Sequence, residues 1–146
     1  MPNWSSNIVV IECSEDTKEK IKSALAGVVK GEDLNGNEVT EEMAFDFNSL
    51  IPMPDNIFRG NLGQAEREKY GTDNWYDWSC ENWGTKWNAC HIELDESIRD
   101  ELTYRFDTAW DAPRPIVNRL REMMEEYNAK VDWSATHEFD DSTEEL

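Results

Sequence analysis

Short runs of β-branched apolar residues alternate along the chain with stretches in which apolar residues recur every three or four positions. Residues 7–12 form the first run, which is typical of a buried central strand. A helix is predicted next, because Ser14 can cap its first turn and the acids that follow suit the positive end of its dipole. Its apolar face consists of Thr17, Ile21, Ala24, Leu25 and Val28.

The second half of the chain repeats these two periods. Residues 90–95 and 102–107 alternate between apolar and polar side chains, which predicts a β-hairpin. Pro113 and Pro115 mark the start of a helix whose apolar stripe runs to Tyr127. Alternation over residues 131–139 predicts a last strand. Its inward-facing residues are Val131, Trp133, Ala135, His137 and Phe139.

The predicted order of elements is β-α-(insert)-β-β-α-β, the order of a ferredoxin-like α+β fold. We expect one domain over residues 1–146, with an antiparallel four-stranded sheet and two helices on one face. Residues 30–88 form a tryptophan-rich insertion between the first helix and the second strand, and residues 140–146 a solvated acidic tail. The predicted core consists of Ile8, Val10, Leu94, Tyr104, Phe106, Ile116, Leu120 and Trp133.

Within the insertion, turn-forming residues predict a loop over residues 30–40. A brief strand is predicted over residues 45–48 and a short helix over residues 64–70, ending at Gly71. A further helix containing Trp75, Tyr76, Trp78, Cys80 and Trp83 is expected to be capped by Thr72 or Asp73.

The net charge of −18 comes from 32 acidic and 14 basic residues and changes which partners are plausible. Repulsion of phosphates argues against direct binding to nucleic acid or to an anionic membrane, whereas a basic protein surface would be attracted. A merely solubilising surface is the alternative. The candidate interaction surface consists of Glu93, Asp95, Asp132, Glu138, Asp140 and Asp141, on the open sheet face and in the tail.

The compartment is predicted from what the sequence lacks. Three cysteines in no paired spacing do not indicate a disulfide framework. The first residues carry no basic region, and no run approaches the roughly 20 apolar residues of a membrane span. We therefore expect a cytoplasmic protein.

The segment from Asp73 to Asn88 is the densest motif, with four tryptophans in 16 residues. Indole walls beside amide and hydroxyl groups are typical of a site for a planar or nucleotide-like ligand. The candidate ligand residues are Trp4, Asn82, Trp83, Thr85, Lys86, Trp87, Asn88, Arg105, Asp107 and Trp110. The alternative, which we favour, is that Trp83 and Trp87 are buried against the sheet and Gly84 makes a turn.

Signals for catalysis, metals and cofactors are weak. Cys90 and His91 are neighbours on a predicted strand and should point to opposite faces, so they do not suit a shared metal. Gly60 and Gly63 lack the lysine and the helix of a phosphate-binding loop. We predict no catalytic residue, no metal site and no cofactor.

Several segments resemble a known family: Met1-Pro-Asn-Trp4 with Asn7, residues 45–54, residues 75–88 with their Glu-Asn-Trp-Gly-Thr-Lys-Trp-Asn block, and residues 104–113. The family consists of phage- and plasmid-borne proteins with a YubB-like ferredoxin-like domain. The resemblance implies that fold and a mobile-element origin in a bacterial host, but no reaction. Many members have Cys at the position of Ser5, so a role of that thiol does not transfer to this chain.

Two functions follow as hypotheses. In the first, a small acidic accessory protein inhibits a host or defence protein through an acidic, nucleic-acid-mimicking surface. In the second, the tryptophan-rich block binds a small ligand, as a nucleotide sponge or as an enzyme. The oligomeric state is left open.

Overall fold

The computed structural model describes residues 3–146, so Met1 and Pro2, with which the family resemblance begins, lie outside the described residues. Helices and strands alternate along the chain. They are β1 (Trp4–Glu12), α1 (Glu15–Leu25), β2 (Gly27–Glu32), β3 (Glu38–Met43), α2 (Phe47–Leu50), α3 (Gln64–Tyr70), α4 (Trp75–Asn82), β4 (Cys90–Asp95), β5 (Glu101–Ala109), α5 (Arg114–Glu125), β6 (Lys130–His137) and β7 (Ser142–Glu145).

The main sheet has five strands in the order β4-β5-β1-β6-β7, and every neighbouring pair is antiparallel. Strand β1 lies at its centre, where Val9 is opposite Tyr104 of β5 and Trp133 of β6. Strands β2 and β3 form a separate two-stranded hairpin. The α+β class predicted from the sequence is confirmed, but the sheet has one strand more than the four expected.

One face of the sheet carries the core. Helices α1, α2 and α5 pack on this side, and Leu120 of α5 is fully buried. Phe45, from the insertion, completes the core, because its ring lies 4.9 Å from Phe106, 5.3 Å from Tyr104 and 6.1 Å from Trp133 between centroids. The insertion therefore contributes to the core instead of covering the open face.

The predicted core is right for Tyr104, Phe106, Ile116, Leu120 and Trp133, which are all buried, and Leu94 packs half-buried at its edge. It is wrong for two residues of β1. Ile8 is 40% exposed and Val10 shares its face, whereas Val9 and Ile11 are fully buried. A run of four apolar residues does not reveal which alternate pair faces inward.

Asn7 determines that choice. It is 1% exposed, its side-chain amide donates to Thr108 Oγ1 at 3.0 Å, and its Oδ1 accepts from Trp133 Nε1, also at 3.0 Å. A buried amide with these partners is satisfied, so the core face runs through Asn7, Val9 and Ile11.

The predicted solvated tail over residues 140–146 is wrong, because residues 142–145 pair with β6 as an edge strand. Asp140 closes the turn by accepting from the amide and hydroxyl of Ser142, at 3.0 and 2.5 Å. Arg121 donates to the backbone oxygen of Leu146, whose side chain packs against the core. These contacts come from α5 and leave no periodic signal in the tail itself.

The insertion differs from its prediction in three places. Residues 30–40 are mostly the hairpin of β2 and β3, and residues 45–48 lead into α2 instead of forming a strand. Helix α4 is capped by Asn74, whose Oδ1 accepts from Asp77 N at 2.9 Å, not by Thr72 or Asp73. The helix predicted over residues 64–70 is confirmed as α3. Within residues 3–146, no helix is both long and apolar enough to cross a membrane.

Candidate functional site

Part of the tryptophan-rich segment is structural. Trp83 is 4% exposed, and its Nε1 donates to the backbone oxygen of Ile51 at 2.9 Å. Thr85 is also buried, and its hydroxyl donates to Ala109 O at 2.8 Å. Their polar groups are already satisfied by the fold, so Trp83 and Thr85 do not serve a ligand.

Asn82 and Asn88 are structural as well. Asn88 Oδ1 accepts from the amide of Phe47 at 2.9 Å, and its side-chain amide donates to Asp46 Oδ1 at 2.7 Å. Asn82 donates to Trp78 O within α4 at 2.9 Å. These bonds join the end of the tryptophan-rich segment to the start of α2.

Gly84 redirects the chain between the buried and the exposed tryptophans. Its φ is +80°, and a Cβ at this position would lie 2.9 Å from Pro115 Cδ. The predicted turn at Gly84 is confirmed. The predicted burial of Trp87 is wrong, because this indole is 36% exposed beyond the turn.

Lys86 and Trp87 form a cluster with Trp110 and Trp4, which we call the indole cluster. The Lys86 Nζ lies 4.2 Å from the ring centroid of Trp87 and 4.2 Å from that of Trp110. The rings of Trp4 and Trp87 are 6.1 Å apart between centroids. An ammonium over two indole faces is a favourable cation–π arrangement. Four of the ten candidate ligand residues thus lie together here.

His91 and Asp107 adjoin the indole cluster. His91 Nδ1 is 2.8 Å from Asp107 Oδ2, Ser6 Oγ donates to Asp107 Oδ1 at 3.1 Å, and the His91 ring meets the Trp4 ring edge-on at 5.3 Å. Asp107 therefore lies where predicted, beside the indoles. Arg105, two positions earlier, sits opposite Glu93 and Ile8 in the sheet, outside the cluster.

Sequence reasoning did not select His91. The register of β4 against β5 shifts between Cys90 and Glu93, and His91 adopts a φ of 54° at this bulge. The bulge interrupts simple alternation and aims the ring at Asp107. No signal in the sequence marks this bulge. Trp110 also has a positive φ, 71°, and its amide donates to Asn3 O at 2.8 Å. Such backbone strain concentrates at functional sites.

The open sheet face is acidic with an apolar centre. The strand register places Ile8 and Val10 in the middle, with Arg105 opposite Ile8. Seven acids and two bases lie on this face by register. They are Glu12, Glu93, Asp95, Glu101, Asp107, Asp132 and Glu145, with Arg105 and Lys130.

The predicted interaction residues divide into two groups. Glu93, Asp95 and Asp132 share the open face and are exposed. Glu138, Asp140 and Asp141 follow β6, at the turn into β7. Of these, Glu138 accepts from Trp4 N at 2.9 Å, and hydrogen bonds from Ser142 lower the pKa of Asp140. Similarly, hydrogen bonds from Ser97, aided by the charge of Arg105, lower the pKa of Asp95.

Nucleophile and metal chemistry receive no support from the geometry. Burial, with the negative charge of Asp107 second, raises the pKa of Cys90, so its thiol is protonated at neutral pH. Ser5 Oγ lies 2.7 Å from His137 Nδ1, and His137 Nε2 lies 3.5 Å from Glu144. This serine–histidine–glutamate series is structural, because Ser5 is fully buried and out of reach of a substrate. No group of three potential metal ligands occurs within residues 3–146.

A groove of about 750 Å³ separates β3 from the edge strand β4, and it borders the indole cluster. Glu41 and Glu42 lie on one side, and Trp87, His91 and Ile92 on the other. Both the groove and the open face are therefore lined by acids next to exposed apolar side chains. Comparisons with protein-family models, with curated proteins and with solved structures found no match.

Proposed function

We propose that this chain is a protein-binding module that engages a basic protein surface with the open face of its sheet. The observation that carries the proposal is the arrangement of that face. Glu93 and Asp95 lie on one flank and Asp132 and Glu145 on the other, with exposed Ile8 between them. An apolar centre with a charged rim is the usual anatomy of a protein interface.

The partner we infer is a nucleic-acid-binding protein of a bacterial host or of its defence systems, inhibited in the cytoplasm by a protein of mobile-element origin. Carboxylates along the strands would take the place of phosphates in a basic groove. The net charge of −18 supports rapid, salt-sensitive association with such a groove and repels nucleic acid itself. The family resemblance supports the mobile-element origin.

A ferredoxin-like framework is part of the same proposal. It is supported by the strand order β4-β5-β1-β6, in which the first and the last of the four predicted strands are neighbours. Helices α1 and α5 lie on the core side of this sheet. We regard β7 as an added edge strand and the segment from β2 to α4 as the insertion.

A charge-reversal pair of variants tests the function. The open-face variant replaces Glu12, Glu93 and Asp132 by Lys, three exposed acids with no hydrogen bond or ion pair from their side chains among residues 3–146. The helix-side variant replaces Glu81, Glu125 and Glu126, also exposed, and changes net charge equally. Each immobilised protein is exposed to bacterial lysate at low salt.

We expect the wild-type and helix-side proteins to capture a basic protein that a short DNA duplex displaces, and the open-face variant to lose it. Raising the salt from about 0.01 M to about 0.1 M, which shortens the Debye length from about 30 to about 10 Å, should weaken the capture steeply. Equal capture by all three proteins, or no competition by DNA, would contradict the proposal.

A further inference from the structure

We propose that the indole cluster is a receptor for an organic cation, the ammonium or guanidinium group of a basic partner, and that Lys86 occupies this receptor in the free protein. The inference rests on the proposed function for the partner's chemistry. The structure contributes the occupied receptor itself, since the Lys86 Nζ lies at 4.2 Å from both the Trp87 and the Trp110 ring centroids.

The two indoles retain surface for a partner. Trp87 is 36% and Trp110 44% exposed, which is unusual for side chains whose burial would be favourable. Indole is the best of the aromatic rings for cation–π contact, and a guanidinium can also stack flat on it. The receptor therefore offers two ring faces that suit either cation.

The rings are held in place by the backbone around them. Gly84 at a φ of +80° and the buried hydroxyl of Thr85 fix the segment that carries Lys86 and Trp87. The positive φ of Trp110 is held by the bond from its amide to Asn3. Receptor walls that are fixed before binding lose less entropy when a ligand enters.

The charge of the surroundings selects a cation over an anion. Trp4 and Asp107 belong to the same face of the sheet as the acids of the open face, so the cluster lies at one end of that face. A net charge of −18 attracts a cation and repels the phosphates of a nucleotide. This favours a cationic ligand over the nucleotide expected from aromatic residues alone.

Lys86 acts as a tethered competitor. A partner's cation must displace it, so the measured affinity is lower than that of an empty receptor. Lys86→Ala removes the competitor and one positive charge, and we expect it to tighten cation binding by about twofold to fivefold. A residue that merely stabilised the fold would not produce tighter binding when removed.

The experiment follows the indole N–H signals of Trp87 and Trp110 by NMR during titration with tetramethylammonium, with arginine amide and with AMP. We expect shifts with both cations, tighter binding to Lys86→Ala, and binding weakened about fivefold to thirtyfold by Trp110→Ala. Trp110→Phe retains a ring and should bind with intermediate affinity, which guards against a misfolded alanine variant.

Lys69→Ala is the matched control, because Lys69 lies over the Tyr70 ring at 5.1 Å, away from the cluster, and its removal should leave cation affinity unchanged. Absence of shifts in both the wild type and Lys86→Ala, or stronger binding of AMP than of either cation, would overturn the receptor. An oligoarginine peptide distinguishes the sources: it should bind more tightly than arginine amide if the cation belongs to a protein. Because these titrations need no captured partner, they can fail while the open-face test succeeds, and the reverse.

Discussion

At the scale of single residues, Gly27 is the position where the smallest addition should have a large effect. A Cβ there would lie 1.9 Å from Asp46 Oδ2 and 2.6 Å from its Cγ. Asp46 has little room to move, because it accepts hydrogen bonds from Asn48 N and from the Asn88 side chain. We expect Gly27→Ala to lower the free energy of unfolding by about 1–3 kcal/mol, measured by urea denaturation.

Gly31 supplies the control within the same strand. Nothing lies within 4 Å of a Cβ added at Gly31, so Gly31→Ala should change stability by less than about 0.5 kcal/mol. Equal effects of the two substitutions would mean that the loss at Gly27 comes from the backbone of β2 and not from contact with Asp46.

The tryptophans show which part of the site could be predicted. Composition identified the block and the turn at Gly84, but Trp83 is in the core and Trp87 is at the surface. Their fates are decided by partners distant in sequence, Ile51 for Trp83 and Trp4 for Trp87. A local pattern contains no information about such partners. The same reason explains why His91 was missed.

At the scale of elements, β7 shows how a strand can form without an apolar pattern. Glu144 on β7 lies 2.5 Å from Arg114 of α5 and 3.5 Å from His137 of β6. We expect Glu144→Ala to increase hydrogen exchange of the β7 amides by about twofold to fivefold. This corresponds to about 0.5–1 kcal/mol, a modest value because the Arg114 and Glu144 side chains are 50% and 36% exposed.

Glu145 is the neighbouring control, since it points to the open face and forms no ion pair within residues 3–146. Glu145→Ala should leave exchange in β7 unchanged. If both variants loosen β7 equally, the strand depends on local propensity or net charge and not on the contact with α5.

Elements with one buried face were predictable, and those without one were not. Helix α5 has its stripe of Ile116, Val117, Leu120 and Met124 buried, and its period of 3.6 residues identified it. Every residue of β3 except its last is exposed, so neither face has a pattern to read. The hairpin of β2 and β3 was therefore mistaken for a loop.

At the scale of the whole molecule, the charge opposes the packing that holds the fold together. The core is rich in aromatic residues, with Phe45 in contact with Tyr104, Phe106 and Trp133. Around it, a net charge of −18 on 146 residues repels itself. Short ion pairs such as Lys22 with Glu96, at 2.6 Å, relieve only a small part of this repulsion.

Screening should therefore stabilise this protein. We expect the thermal midpoint to rise by a few degrees between about 0.01 M and about 0.1 M NaCl, the change that about 1–2 kcal/mol produces in a domain of this size. The open-face variant provides the matched comparison: three acids replaced by Lys change the net charge by six, from −18 to −12, and its midpoint should rise less. KCl should act like NaCl, because screening depends on ionic strength. A midpoint that falls with salt would show that ion pairs contribute more to stability than the repulsion removes.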